Sequence, residues 1–203
     1  KEFVSVALKR PSLFFMSPET LDKNVTETAK KFEITKKEFV NSALKQPQLF
    51  SMSPDTLDKN ITEAANRFDI KKKEFVSAAL KLPPLFCQFP DTLDKNITES
   101  AKKFDIKKKK FVSAALKQPS LFCQSPDTLD KNVTETAKRF DIEKKEFVNV
   151  ALKRPSLFCL SPDTLERKAK IYAYYKELNN IPINNLLECL RITADKHLLA
   201  QVL

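Results

Sequence analysis

Apolar residues recur along this chain at the spacing of a helical face. In one stretch Leu129, Val133, Ala137 and Phe140 stand at i, i+4, i+8 and i+11, which predicts an amphipathic helix. Ser125 as N-cap, Pro126 at the first helical position and Asp127 in the first turn announce its start. After Ile142 a second set, Phe147, Val148, Ala151 and Leu152, predicts a second helix. Pro155 ends it, because proline disfavours helix in the residue before it. In an earlier stretch the second helix opens with Thr35 and Glu38 three residues apart, the spacing of a capping box. The "PSLF" that follows reads as a single short helical turn, with Leu157 and Phe158 filling the gap between neighbouring helix pairs.

The same pattern returns at a fixed interval. Pro11, Pro47, Pro83, Pro119 and Pro155 lie 36 residues apart, and the residues between them nearly coincide. Residues 1–10 read as a partial N-terminal repeat, 11–154 as four full repeats, and 155–203 as a diverged repeat with capping helices. Periods of about 20–50 residues belong to arrays in which each unit buries its apolar face against its neighbours. The expected fold is therefore an all-α solenoid, right- or left-handed, of two helices and a short helical turn per repeat. In the tail, "ERKAKIYAYYKEL" continues one helix, Pro182 opens a second and "ADKHLLAQVL" supplies a third. Tyr172, Tyr174 and Tyr175 do not share one buried face, so some are expected to meet polar partners or solvent. The tail is expected to cap the last repeat, and the chain to be a monomer. Dimerisation through Leu198, Leu199, Val202 and Leu203 is the alternative.

The motifs "P-x-L-F-x-x-S-P-D-T-L-x-x-N-(I/V)" and "F-D-I-x-x-x-x-F-V-x-x-A-L-K-x-P" resemble the repeat of mitochondrial transcription termination factors. The segment Leu160–Leu178, "LSPDTLERKAKIYAYYKEL", is similar to that family's closing segment. The resemblance implies a curved α-solenoid that binds nucleic acid, double-stranded DNA or organellar RNA, along a basic face. Family members usually place Gly between the two helices, where this chain has Phe-Asp-Ile or Phe-Glu-Ile, and their repeats diverge more than these do.

Composition narrows the chemistry. The net charge of +10 suits an acidic partner such as nucleic acid or an anionic surface. No apolar run approaches ~18 residues, so no membrane span is expected. Glycine is absent, which excludes Gly-based phosphate loops, and the single histidine, His197, leaves His-based triads nothing to work with. No enzyme activity, cofactor or metal is expected. The chain opens inside a motif, "KEFVSVALKRP", and is expected to be a piece of a longer protein.

Lysines mark every second-helix start: Lys36 and Lys37; Lys71, Lys72 and Lys73; Lys107, Lys108, Lys109 and Lys110; Lys144 and Lys145. Cations there oppose the helix dipole by a few tenths of a kcal/mol each. Together with the free N–H groups they would form a row of phosphate sites; otherwise they are a solvated turn. A second cationic row, Lys30–Lys31, Arg67, Lys102–Lys103 and Lys138–Arg139, closes the first helices, where it suits the dipole. The acidic starts of the first helices are expected to form an opposing negative edge, segregating charge across the array.

The repeats differ at a few columns. Before the proline stand Arg10, Gln46, Leu82, Gln118 and Arg154, and on the second helix Asn41 and Asn149 alternate with Ser. Arg10, Gln46, Gln118, Arg154, Asn41 and Asn149 carry the donors and acceptors that read base edges. Drift at loosely packed positions explains these columns as well, because Leu and Val share them. Cys87, Cys123 and Cys159 are equivalent positions with no local metal spacing, so free thiols and a reducing, intracellular compartment are expected. Four "N-(I/V)-T" sequons at Asn24, Asn60, Asn96 and Asn132 would be glycosylation liabilities on a secretory route. A protein-interaction scaffold is the rival function, since fold alone does not decide.

Overall fold

The structure is a computed structural model that describes Leu8 and residues 10–178, with side chains through Ile171. The expectations for the tyrosine side chains, Pro182, the later tail helices, Cys189, His197 and the terminal leucines lie outside the described residues. Among the described residues the fold is all-α. First helices of the repeats are α1 (Pro18–Lys31), α3 (Pro54–Arg67), α5 (Pro90–Lys103), α7 (Pro126–Arg139) and α9 (Pro162–Leu178). Second helices are α2 (Lys36–Lys45), α4 (Lys72–Lys81), α6 (Lys108–Lys117) and α8 (Lys144–Lys153). Five 3-10 turns, each opened by proline, connect them: Pro11–Phe15, Pro47–Phe50, Pro83–Cys87, Pro119–Phe122 and Pro155–Cys159.

Contacts divide the chain into two compact units, Lys1–Lys95 and Asn96–Leu203. Within the first, α1 packs on α2 and α3, α3 on α4, and α2 on α4. Within the second, α7 packs on α8 and α9, and α6 on α8. First helix touches first helix and second touches second, which is the side-by-side packing of an α-solenoid. The 3-10 turn is the plug between neighbours. In the first unit Phe86 stacks on Phe32 at 5.3 Å and meets Phe39 edge-on at 6.4 Å. In the second, Phe158 repeats this on Phe104 at 5.2 Å and Phe111 at 5.6 Å. The expected core residues Leu129, Val133, Ala137, Phe140, Phe147, Val148 and Ala151 are buried. Leu152 is only half-buried, whereas Val150, one of the variable positions, is buried.

The helix starts follow the caps written in the sequence, with two departures. Ser17, Ser53 and Ser161 accept from the backbone N–H of Thr20, Thr56 and Thr164 at 3.1–3.2 Å. Thr35 and Glu38 close their capping box at 3.2 and 2.8 Å. Ser125 holds the N-cap position without a side-chain bond. In the third repeat the equivalent residue is Phe89, exposed and unable to cap.

A glycine-free chain must still turn between the two helices of each repeat. It does so with Glu33, Asp69, Asp105 and Asp141, all at φ between 50° and 54°. Each stands just past the C-cap of a first helix and completes a Schellman motif. Ile34 N–H reaches Ala29 C=O at 3.0 Å and Glu33 N–H reaches Lys30 C=O at 3.2 Å, and the other three turns repeat both bonds. The left-handed conformation costs an L-residue about 1–2 kcal/mol, and glycine returns about 0.5–1 kcal/mol of that through the freedom it loses on folding. Asp141→Gly is therefore expected to stabilise the chain by about 0.5–1 kcal/mol, raising its Tm by roughly 1–4 °C in a thermal melt.

Candidate nucleic-acid interface

The helix-start lysines divide into two sets. Lys36, Lys72, Lys108 and Lys144 are the first residues of α2, α4, α6 and α8. Three of them reach back to an acid of the first helix in their own repeat: Lys36 to Asp22 at 3.3 Å, Lys144 to Asp130 at 2.5 Å, and Lys72 to Asp58. Lys72 also donates to the Lys31 carbonyl at 3.0 Å and lies 5.7 Å above the Phe32 ring, in the preceding repeat. Lys144 stands 5.9 Å above Phe104 in the same way. An aspartate beside the ammonium offsets the clash with the helix dipole, and the ring face adds a cation–π contact. These lysines clip helix to helix and repeat to repeat.

The remaining helix-start lysines face solvent: Lys37, Lys71, Lys73, Lys107, Lys109, Lys110 and Lys145 are all exposed. Lys37, Lys73, Lys109 and Lys145 recur one residue inside each second helix, beside its free N–H groups. The third repeat concentrates this feature. Glu38 and Glu74 reach back to the backbone N–H of Thr35 and Lys71 at 2.8 and 2.9 Å, occupying the start of their helices with an acid. Lys110 stands at the equivalent place in α6, whose first turn contains no acid. Eight lysines against four acids give that repeat a net charge of +4, compared with +1 in each of the other full repeats.

The second cationic row serves as a ladder. Lys31 pairs with Asp55 at 3.1 Å, Arg67 with Asp91 at 2.6 Å, Lys103 with Asp127 at 3.0 Å and Arg139 with Asp163 at 2.5 Å. Each joins the last turn of one first helix to the first turn of the next. The Asp55 and Asp127 carboxylates, by hydrogen bond and then by charge, hold the Lys31 and Lys103 ammoniums above the ordinary lysine range. The expected segregation of charge is thus corrected. Every acid suits the start of its own helix and every cation the end of its own, and stacking sets end beside start. Lys30, Lys102 and Lys138, one residue earlier, are exposed.

The base-reading candidates occupy two environments. Asn41 and Asn149 are exposed on α2 and α8. Arg10, Gln46, Gln118 and Arg154 are half-buried at the N-caps of the 3-10 turns. Gln118 donates to Ser120 at 3.0 Å, and Ser120 lies 3.2 Å from the Cys159 thiol of the next repeat. Gln46 bonds to Cys87 in the same lateral way. Burial pushes the Cys87 and Cys159 thiols up, and these hydrogen bonds draw them partly back. Cys87, Cys123 and Cys159 are free.

Sequence reasoning missed one structural role. Asn24 Nδ2 donates to the Phe50 carbonyl at 3.2 Å and Asn96 Nδ2 to the Phe122 carbonyl at 3.1 Å. The sequon asparagines thus hold the 3-10 turn against the first helix. Their signal was the invariance of Asn24, Asn60, Asn96 and Asn132 across the four copies.

A scan against protein-family models gives no match, and a search of curated proteins gives none either. Among the described residues no helix is long and apolar enough to cross a membrane.

Proposed function

We propose that this chain binds nucleic acid, DNA or RNA, by seating backbone phosphates on the starts of its second helices, in transcription or transcript regulation. The observation that carries the reading is the recurrence of an exposed lysine at Lys37, Lys73, Lys109 and Lys145 while the neighbouring cationic rows are engaged by aspartates. A row of ammoniums beside helix N–H groups is suited to a linear polyanion, and repetition adds contacts without requiring sequence recognition. The resemblance to mitochondrial transcription termination factors supports the same reading. Free cysteines, and Asn24 and Asn96 amides already bonded to carbonyls, fit an intracellular reducing compartment better than a secretory route.

The test is the triple reversal Lys107→Glu, Lys109→Glu and Lys110→Glu, with the interhelix position Lys108 left intact. Affinity should fall to a similar extent for duplexes of different sequence. The slope of log Kobs against log salt should flatten by up to about 2.7, at about 0.9 per lost contact. The thermal melt should be unchanged, because acids suit a helix start. Wild-type affinity in the variant would leave these lysines a solvated turn and favour the protein-scaffold reading.

A further inference from the structure

The N-terminal end of the first unit exposes a surface that the chain buries wherever it recurs. Phe14 is 55% exposed, whereas its equivalents Phe50, Phe86, Phe122 and Phe158 are at 4% or less. Pro18 is exposed, while Pro54, Pro90, Pro126 and Pro162 are buried. Leu21 is half-buried, but Leu57, Leu93, Leu129 and Leu165 are sealed. Beside these, Pro18, Glu19, Asp22, Lys23, Thr26 and Glu27 line a shallow depression on α1.

The charge pattern identifies what fits. Asp55, Asp91, Asp127 and Asp163 each receive a Lys or Arg from the last turn of the preceding first helix. Glu19 holds the equivalent place on α1 and is exposed, with no ion pair among the described residues. The phenylalanine pattern agrees, since Phe86 and Phe158 are covered by the Phe32–Phe39 and Phe104–Phe111 pairs of the preceding repeat.

We propose that the leading face of α1, with Phe14 and Glu19, is a docking half-site for a further helical repeat of this same type. The occupant presents a first helix ending in Lys or Arg and followed by Phe. Its cation closes on Glu19 as Lys31 closes on Asp55, and its ring covers Phe14 as Phe32 covers Phe86. Such a repeat extends the stack by the contacts the chain already uses between its own repeats, and neighbour contacts of this kind set the stability of an array.

The full chain, extended by a copy of residues 125–144 placed directly ahead of Lys1, tests this. The junction then reads Lys-Lys-Glu-Phe, as it does at Lys144–Phe147. The extended chain should melt about 5 °C or more above the original, and the α1 amides should gain protection from hydrogen exchange. A scrambled extension of equal length should do neither. Glu19→Lys should remove much of the gain in the extended chain while barely moving the melt of the original. An in-register extension with no rise in Tm and no added α1 protection would overturn the proposal. So would an original chain that sediments as a dimer and becomes a monomer on Phe14→Asp, because a second copy would then be the occupant.

Discussion

Phe158→Ala is expected to destabilise the protein by about 3–5 kcal/mol, the largest effect of any single truncation considered. The ring is fully buried, stacked on Phe104 and edge-on to Phe111. It enters from the 3-10 turn Pro155–Cys159, while its partners belong to the preceding repeat. Removing it leaves a cavity at a repeat boundary, where the surrounding helices are fixed by their own ion pairs and collapse only in part. At roughly 2–4 °C per kcal/mol, the Tm should fall by about 6–20 °C. The equivalent change at the exposed end of the array, Phe14→Ala, should stay within about 0.5 kcal/mol. Thermal melts of the two variants side by side separate the plug from mere phenylalanine content.

Asn96→Asp should be the next most damaging, at about 1–3 kcal/mol. The Asn96 amide donates to the Phe122 carbonyl, and the side chain is partly buried. Aspartate loses the donor and sets a carboxylate against that carbonyl oxygen, so two acceptors face each other without a proton. Asn96→Ala removes the bond without the repulsion and should cost less. Urea unfolding that ranks Asp below Ala, and Ala below wild type, supports the turn-holding role. Equal stability of all three would mean that the asparagine is an ordinary surface residue. The same bond bears on the sequon, because a glycan on this nitrogen would compete with the carbonyl for it.

Much of this architecture could be read from the chain. Leu129, Val133, Ala137 and Phe140 mark a helical face, Ser-Pro and Thr-x-x-Glu mark starts, and Pro155 marks a stop, all through effects acting within a few residues. Phe158 was legible as a plug because a short proline-opened turn has no other use for a large ring. What could not be read depends on the register of stacking. Lys36 meets Asp22 fourteen residues away, Lys31 meets Asp55 in the next repeat, and Lys72 lies over Phe32 in the preceding one. Local sequence showed only that each charge suits its own helix end, so the acidic starts looked like a separate edge when they are the partners of the neighbouring cations. The Asp141 turn was hidden for a different reason. Glycine is the usual signal for a positive φ, and aspartate, which tolerates it, carries no comparable mark.

The account stands or falls on whether the exposed lysine row holds phosphates. The most direct measurement is the affinity of the unmodified chain for a duplex and for single-stranded RNA across a salt series. Phosphate seating at several repeats predicts a linear fall of log Kobs with log salt. Its slope for duplex should approach −0.9 times the number of contacts, about −3 to −4 for one contact at each of the four repeats. No binding at low salt, or binding that salt leaves unchanged, would contradict it.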